Sequence, residues 1–283
     1  MIDCNMQIDR IIRHALEEDV GSGDITTDAV IQDDSRGEAL LFARERLIVA
    51  GLQVFGRVFQ VLDSGIEVHS RCLEGEGAKE DTVIAKVTGP MTAILRGERT
   101  ALNFFQRMSG IATLTRQFVD KVRDRNVRIV DTRKTAPGLR VLDKYAVRVG
   151  GGKNHRLGLF DGVLIKDNHI TAAGSISKAV KQAKETAPHT LKVEVEVEDL
   201  DGLEEAIQAG ADVVLLDNMG VDAMRDAVRL AAGRVLLEAS GNVSLDTVEA
   251  IAQTGVDIIS IGGLTHSPRA VDVSLKVSGT SSK

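Results

Sequence analysis

Seven lysine and arginine side chains, but only two aspartates, lie between Asp131 and Arg156 in a chain whose formal net charge is −6. Such a local reversal of charge predicts a site for a multiply charged anion. Arginine offers a planar fork to a carboxylate or phosphate, and lysine offers a compact point charge. Breaks at Pro137-Gly138 and at the glycines 150–152 interrupt the segment. The pattern favours an anion pocket over a solvated charged surface.

Lys166 ends the apolar run VLIK, and its apolar neighbours predict that its stem lies inside the fold. Three interpretations stay open on residue type alone. The side chain is a Schiff-base lysine, an ion partner for an anion, or a lysine that extends to solvent at the rim.

Glu194 and Glu196 alternate with valines in the run KVEVEV, so both carboxylates point to the same face of a strand. Asp217 ends the next apolar run, VVLLD. Carboxylates inside a fold need partners, and Lys134 or Lys166 would supply the opposite charge. We interpret Glu196 and Asp217 as ligands for sugar hydroxyls or for Mg²⁺, which proteins hold with one or two carboxylates plus substrate phosphates. A buried structural ion pair is the alternative.

Two pairs of small residues, Ser240-Gly241 and Gly262-Gly263, follow the last two apolar runs. Loops in this part of a barrel often bind phosphate through exposed backbone N–H groups. A glycine pair alone is more often an ordinary turn. The joint position of the two pairs favours a phosphate site.

The elements that would position these residues follow a regular pattern after about Val122. Short apolar runs alternate with stretches of helical apolar spacing, which predicts successive βαβ units and a parallel sheet. Nearly every run ends in polar residues, as expected where strand ends converge on the mouth of a barrel. The fold class is therefore α/β, an incomplete TIM-type barrel of six to seven strands. The clear runs are 127–130, 163–165, 193–197, 213–216, 235–237 and 258–261.

The first hundred or so residues predict an α+β sandwich domain, followed by a long helix from about Met91 to Val122. We set the N-terminal domain at residues 1–108 and the barrel domain at 109–267. The tail 268–283 is predicted to return to the first domain, because it is apolar at alternate positions. The predicted early strands are 38–43, 47–50, 66–69 and 82–87, and the predicted early helices are 8–15 and 54–61.

The composition, with 43% hydrophobic and 27% charged residues, is that of a globular protein and excludes disordered and fibrous classes. No Trp, one Tyr and a pI near 5.6 argue against general nucleic-acid binding. Cys4 and Cys72 stand far apart, without the spacing of a zinc site, and are expected to serve in packing. The acidic start does not fit a signal peptide, and no apolar run reaches membrane-spanning length, so we expect a cytoplasmic protein.

Ordered motifs along nearly the whole chain resemble those of the quinolinate phosphoribosyltransferase family, also called nicotinate-nucleotide pyrophosphorylase (carboxylating). The motifs are EDVGSGDITT (18–27), GERTALNFFQRMSGIAT (97–113), DTRKTAPGLR, GGKNHR, LIKDNH, VEVE, LLDN, EASGN and GGLTHS (262–267).

The resemblance implies an N-terminal α/β sandwich, an incomplete barrel and a homodimer in which one subunit's N-terminal domain covers its partner's barrel mouth. It also implies the reaction of quinolinate with 5-phosphoribosyl 1-pyrophosphate to give nicotinate mononucleotide, pyrophosphate and CO₂, with Mg²⁺, in de novo NAD biosynthesis.

By motif, the resemblance assigns the candidate site residues. Lys134, Glu196 and Asp217 are the implied catalytic residues, and Glu196 and Asp217 face the ribose and Mg²⁺, the metal contact passing through water and pyrophosphate. Glu194 points the same way and ranks below Glu196. Arg99 is implied to reach across the dimer. The implied quinolinate and pyrophosphate cradle comprises Arg99, Arg133, Lys134, His155, Arg156 and Lys166. The implied 5′-phosphate grip comprises Ser240, Gly241, Gly262 and Gly263.

Two residues depart from the family pattern. Ala136 stands where the family often has a larger or hydroxylated residue, and Asn242 stands where Gly is frequent. Neither change removes a charge, so we expect an effect on affinity and an intact reaction class.

Three alternative functions remain beside that of a quinolinate phosphoribosyltransferase. A molybdenum-transport-associated pyrophosphorylase-like paralogue would share the barrel and act on another base. A non-catalytic sensor of phosphoribosyl ligands would gain little from the acids Glu196 and Asp217. A Schiff-base aldolase using Lys166 would leave the N-terminal motifs unexplained.

Overall fold

The computed structural model describes residues 6–32 and 34–281, which form two compact units. Unit 1 contains the described residues up to Arg116, the segment Ala136–Gly151 and the described residues from Ser267 onward. Unit 2 contains Gln117–Thr135 and Gly152–His266. Residues 109–116 and 136–151, which the sequence analysis assigned to the barrel domain, therefore lie in unit 1.

Unit 1 is built on an antiparallel sheet of four strands: β1 (Arg36–Ala43), β3 (Glu67–Ser70), β5 (Val83–Pro90) and β12 (Val273–Ser281). Their order is β12-β1-β5-β3, so the C-terminal strand pairs with the first strand of the chain. A separate antiparallel pair consists of β2 (Leu47–Ile48) and β4 (Gly77–Ala78). Unit 1 also contains the helices α1 (Met6–Val20), α2 (Ile25–Val30) and α3 (Leu52–Leu62).

The core of unit 1 follows from helical spacing. Ile8, Ile12 and Leu16 recur every fourth residue on α1 and are buried. Phe55 and Phe59 of α3 lie one turn apart, with their ring centroids separated by 5.2 Å in an edge-to-face arrangement. The predicted strands and helices of this unit are thus present, and Cys72 is buried as expected. Cys4 lies outside the described residues.

A long helix, α4 (Met91–Lys121), follows β5 and confirms the helix predicted from about Met91 to Val122. On this helix Arg107 donates two hydrogen bonds to the carboxylate of Asp143, at 2.8 and 2.7 Å. Asp143 belongs to α5 (Arg140–Val149) and is fully buried. Asp143, one of the two acids of the basic segment, therefore pairs with Arg107 and holds α5 within unit 1.

Unit 2 is a parallel sheet of six strands: β6 (Arg128–Val130), β7 (Val163–Ile165), β8 (Val193–Val197), β9 (Val213–Asp217), β10 (Leu236–Ser240) and β11 (Ile258–Ser260). The order β6-β11-β10-β9-β8-β7 places the first strand beside the last one, while the remaining strands follow in chain order. This cyclic order is that of a barrel interrupted between its first two strands, and it confirms the predicted incomplete α/β barrel.

Helices alternate with these strands, as the βαβ pattern predicts. Their apolar faces are buried, for example at Leu203 and Ala206 of α8. The helices of unit 2 are α6 (Asp167–Ala173), α7 (Ile176–Thr186), α8 (Leu200–Gln208), α9 (Val221–Ala231), α10 (Val248–Ala252) and α11 (Gly263–His266). No helix in the part of the chain that the structure describes is long and apolar enough to span a membrane.

Gly150 ends α5 where a side chain has no room. A Cβ atom there would lie 2.6 Å from the carbonyl oxygen of Ala112 on α4. We predict that Gly150→Ala lowers the free energy of unfolding by about 1–3 kcal/mol, because backbone must shift to relieve the contact. Urea denaturation measures this. Gly77→Ala is the matched control, since the added methyl would meet only Ile48 at 3.9 Å. Equal stability of the two variants would contradict the packing argument.

Candidate active site

A cavity of about 960 Å³ opens at the carboxyl ends of the barrel strands. All six strands contribute lining residues from their ends or from the loops that follow. The convergence of polar strand ends expected from the sequence is therefore present. The polar lining residues are Thr132, Arg133, Lys134, His155, Arg156, Lys166, Glu196, Asp217, Asn218, Glu238, Ser240, Asn242, Ser260 and His266.

The cationic side of the cavity begins directly after β6. The carbonyl oxygen of Lys134 accepts a hydrogen bond from Thr265 Oγ1 at 2.8 Å, and the backbone N–H of Lys134 donates to Thr132 Oγ1 at 3.1 Å. A Cβ atom on Gly262 would lie 3.0 Å from Cδ of Lys134. The absence of a side chain at Gly262 thus leaves space for the lysine stem across the mouth.

Asp131 holds the second cationic segment of the cavity in place. Its carboxylate accepts hydrogen bonds from the backbone N–H of His155 at 2.9 Å and from Nδ2 of Asn154 at 2.5 Å. Asp131 is fully buried. Arg156 follows directly and donates from Nη1 to the carbonyl oxygen of Gly162 at 3.1 Å. Burial lowers the pKa of Arg156, and the positive charge of the neighbouring Arg133 lowers it further.

Only part of the basic segment lines the cavity, which corrects the expectation of one continuous anion pocket. Arg133, Lys134 and Arg156 are lining residues. Lys144 and Arg148 belong instead to α5 of unit 1, as does Arg140 at the start of that helix. Lys144 is buried, and Arg148 lies over the ring of Tyr145 at 5.7 Å. Lys144 and Arg148 are thus not among the described residues that line this cavity.

Lys166 and Glu196 form an ion pair across neighbouring strands, with Nζ of the lysine donating to Oε2 of the glutamate. The sequence predicted that Lys134 or Lys166 would compensate the strand carboxylates. In the structure Lys166 does so for Glu196. An ammonium group held by a carboxylate is an ion partner, whereas Schiff-base chemistry requires a neutral amine. The pair therefore favours the ion-partner interpretation of Lys166.

Asp217 is positioned by two asparagines in left-handed backbone conformations. Asn218, with φ of 53°, donates from Nδ2 to Asp217 Oδ2 at 3.0 Å. Asn242, with φ of 51°, donates from Nδ2 to Asn218 Oδ1 at 3.2 Å. Glycine and asparagine tolerate this backbone region best, which accounts physically for an asparagine at position 242. Gly241 lies against the side chain of Asn218, because a Cβ atom on Gly241 would fall 2.1 Å from Asn218 Oδ1.

A buried acidic pair lies beneath His155. Nε2 of His155 is 3.1 Å from Oε2 of Glu194 on β8 and 3.7 Å from Oε2 of Glu238 on β10. Burial and the neighbouring Glu194 carboxylate raise the pKa of Glu238 to about 7. Glu238 therefore carries a proton through much of the range below neutral pH.

The structure brings most of the predicted site residues together. The predicted residues that line the cavity are Arg133, Lys134, His155, Arg156, Lys166, Glu196, Asp217, Ser240, Gly241, Gly262 and Gly263. Arg99 is exposed on α4 in unit 1 and is not one of the described residues that line this cavity. Its role across a dimer stays a prediction.

Comparison with known proteins gives a consistent relationship. Residues 24–109 match the family described as quinolinate phosphoribosyl transferase, N-terminal domain, and residues 111–276 match its C-terminal domain. The chain belongs to the quinolinate phosphoribosyl transferase family. It is thus a phosphoribosyltransferase, as the motif resemblance indicated.

Individual members of the quinolinate phosphoribosyl transferase family cover nearly the whole chain. A probable nicotinate-nucleotide pyrophosphorylase (carboxylating) of Bacillus subtilis is 44% identical over 273 residues, which are 96% of this chain and 94% of the relative. The relative of the same description from Synechocystis is 46% identical, over 95% of this chain and 92% of its own. The crystal structure of NadC from Streptococcus pyogenes superposes with a TM-score of 0.94 at 41% identity, over 99% of both chains.

Within this quinolinate phosphoribosyl transferase barrel, several polar residues at or beside the cavity were not predicted from the sequence. Asp131 and Glu238 contact His155, and Asn218 contacts Asp217. Asn242 in turn contacts Asn218. A usable signal existed for Glu238, since an acid inside the apolar run LLEAS needs a partner. The positive φ of Asn218 and Asn242 had no such signal.

Gly241 supplies a first test of the site. We predict that Gly241→Ala abolishes most activity, because the new methyl displaces Asn218 and with it Asp217. Gly210→Ala is the matched control, since its φ of 84° carries the same backbone penalty but nothing lies within 4 Å of the added Cβ. Gly210→Ala should lose about 1–2 kcal/mol of stability from the backbone penalty, and Gly241→Ala should lose more because of the contact with Asn218, as denaturation measures. Activity that falls equally in both would contradict the steric explanation.

Glu238 supplies a pH test. Its folded-state pKa is raised, so the stability it contributes is present below the ordinary carboxyl pKa and is lost as pH rises through about 7. Between about pH 5 and about pH 8 the wild type should lose about 3 kcal/mol relative to Glu238→Gln, from the size of the shift. Urea denaturation at several pH values measures this. Glu249→Gln, at an exposed position, is the control and should follow the wild type. Parallel curves for wild type and Glu238→Gln would refute the buried-acid argument.

Proposed function

We propose that the protein is a decarboxylating quinolinate phosphoribosyltransferase. It converts quinolinate and 5-phosphoribosyl 1-pyrophosphate to nicotinate mononucleotide, pyrophosphate and CO₂, in de novo NAD biosynthesis. The observation that carries the proposal is one cavity with Arg133, Lys134 and Arg156 after β6 and before β7, and with Glu196 and Asp217 on neighbouring strands. Membership of the quinolinate phosphoribosyl transferase family supports it.

The cations suit the charges of the two substrates. Quinolinate has two carboxylates, and the second substrate adds a pyrophosphate. The guanidinium groups of Arg133 and Arg156 bind carboxylates as planar forks, and Lys134 meets pyrophosphate as a point charge. The apolar side chains of Leu164 and Leu215 also line the cavity, which suits a flat pyridine ring.

The opposite part of the cavity suits the phosphoribosyl group. Asp217 and Glu196 accept hydrogen bonds from ribose hydroxyls and stabilise positive charge that develops at C1 as pyrophosphate departs. Asn218 donates to Asp217 Oδ2, which orients that carboxylate. The backbone N–H groups of Ser240-Gly241 and Gly262-Gly263 bind the 5′-phosphate, since small residues permit close approach.

The proposal also includes Mg²⁺, and the same two carboxylates would hold it. Glu196 and Asp217 present oxygen ligands at the cavity, the donor type that Mg²⁺ prefers, and they fit a metal that is also held by substrate phosphates. When bound, Mg²⁺ neutralises the pyrophosphate leaving group. Lys166 holds Glu196 in place through their ion pair.

The chemistry requires alignment and electrostatics and no covalent enzyme intermediate. The pyridine nitrogen forms a bond to C1 of the ribose while the bond from C1 to the pyrophosphate oxygen breaks. The C2 carboxylate then leaves as CO₂, and its bonding electron pair stays on C2, next to the positive ring nitrogen. That carbon takes a proton from water to give nicotinate mononucleotide.

The direct test is an assay for nicotinate mononucleotide and CO₂ from quinolinate, 5-phosphoribosyl 1-pyrophosphate and Mg²⁺. Turnover of quinolinate well above that of nicotinate is expected, because quinolinate offers two carboxylates to the cations that line the cavity and nicotinate offers one. Equal turnover of both bases, or none of quinolinate by a folded sample, would favour the paralogue that acts on another base. Trapping of Lys166 by borohydride would favour the aldolase alternative.

The proposal includes a homodimer with shared active sites, in which Arg99 enters the partner's cavity. We predict that Arg99→Ala and Lys134→Ala proteins, each nearly inactive, regain part of the wild-type activity when mixed. A mixed dimer would contain one site with both residues intact, so about a quarter of the wild-type activity is the rough upper expectation. Mixing Arg99→Ala with itself is the control. Mixed dimers that form and stay inactive would show that Arg99 acts elsewhere.

A further inference from the structure

His155 is held at both ring nitrogens by the protein. Its Nδ1 accepts a hydrogen bond from the backbone N–H of Arg156 at 2.7 Å, and its Nε2 lies 3.1 Å from the Glu194 carboxylate. The side chains of Glu194 and Glu238 are only 9% and 2% exposed. The imidazole therefore joins a strand-end loop to the buried interior of β8 and β10.

These contacts determine which ring nitrogen carries hydrogen. An Nδ1 that accepts an N–H has its lone pair free and bears no hydrogen, so the ring is not an imidazolium. A neutral imidazole has one N–H, which is then on Nε2 and points to the carboxylates. Protonation of Nδ1 would set its hydrogen against the N–H of Arg156 and break that bond.

The charges around the cluster limit how strongly an imidazolium is favoured, and the neutral ring is inferred from the Nδ1 contact. Two ionised glutamates would favour an imidazolium, but Glu238, with its raised pKa of about 7, carries a proton below neutral pH. Among the described residues, the titratable groups that act on Glu238 are Glu194 from β8, which raises its pKa, and His155, which lowers it. β9 presents Leu215 and β11 presents Ile258 at the positions paired with Glu238. Arg156 interacts with Glu194, and its positive charge opposes a further cation in the cluster.

The cluster has the composition of a metal site, but the contact at Nδ1 of His155 opposes that assignment. One ligand atom from each of His155, Glu194 and Glu238 lies within 4.8 Å of the others. A histidine that binds metal through Nε2 usually donates an N–H from Nδ1 to a neighbouring acceptor. Here Nδ1 is itself the acceptor, so the hydrogen occupies Nε2 where a metal would bind.

We infer that Glu194 and Glu238 hold His155 as a neutral Nε2–H imidazole, and that His155 positions Arg156 for the dicarboxylate through the Arg156 backbone N–H. His155, Glu194 and Glu238 are then positioning residues, and the charge that meets quinolinate comes from the arginines and Lys134. The inference rests on the proposed function for its consequence in turnover, and on the contacts of His155 for the tautomer.

The tautomer is tested by nitrogen NMR of the whole protein labelled with ¹⁵N at histidine. The chain has six histidines, and the His155 signals are those lost in His155→Gln. We expect a pyridine-like Nδ1 signal and a pyrrole-like Nε2 signal at neutral pH. Addition of quinolinate should not convert them to the two pyrrole-like signals of an imidazolium. Two pyrrole-like nitrogens, in the free protein or with quinolinate, would overturn the inference.

Substitutions test the positioning role by rank order. His155→Gln retains a neutral N–H donor toward the glutamates and should raise the KM for quinolinate by about tenfold, while His155→Ala and His155→Lys should raise it by about a hundredfold. A cationic role predicts the reverse order, with the lysine variant the most active. The KM for 5-phosphoribosyl 1-pyrophosphate should change much less in all three variants. His189→Gln, at an exposed position before β8, is the matched control and should leave both constants unchanged.

The two proposals fail in different ways. Absence of quinolinate turnover in the wild type would refute the proposed function and leave the NMR result to decide the tautomer. Normal wild-type turnover together with an imidazolium signal, or with the lysine variant ranking first, would refute the positioning role alone.

Discussion

Acidic side chains inside a parallel sheet are tolerable only when other strands supply their partners, and the cavity of unit 2 depends on that constraint. Glu196 is held by Lys166 from the neighbouring strand, and Asp131 is held by the loop that carries His155. The first pairing places a cation beside a carboxylate, the second gives a buried carboxylate two hydrogen bonds, and each fixes a residue at the mouth. The partners of these acids therefore also build the site.

The same constraint separates two kinds of charge in the cavity. Lys166 is already paired with a carboxylate of the protein. Arg133, Lys134 and Arg156 line the cavity, and their guanidinium and ammonium groups suit carboxylates and pyrophosphate. A substrate with several negative charges completes the balance, which is why a dicarboxylate and a pyrophosphate together fit this site better than a single small anion.

Close backbone packing contributes as much as charge. Gly241 allows Asn218 to approach and to orient Asp217, and Gly262 leaves space for the stem of Lys134. These contacts involve small residues on loops after different strands, and a single methyl group would disturb them. The precision of the site therefore depends on loops whose glycines are required by neighbours in space.

Much of this protein was determined by local sequence. The apolar runs and helical spacings predicted every barrel strand, the long helix α4 and the early strands of unit 1, because hydrophobic period depends on neighbours along the chain. Lys166, Glu196 and Asp217 were predicted at the mouth for the same reason, since each ends or lies in an apolar run. The ordered motifs extended this to the family. Tertiary structure alone decided the partners: that Lys144 is buried in unit 1, that Asn218 supports Asp217, and that His155 meets Glu194 and Glu238. Those contacts join residues far apart in sequence, and both the burial of a charge and the hydrogen on an imidazole depend on what surrounds them in space.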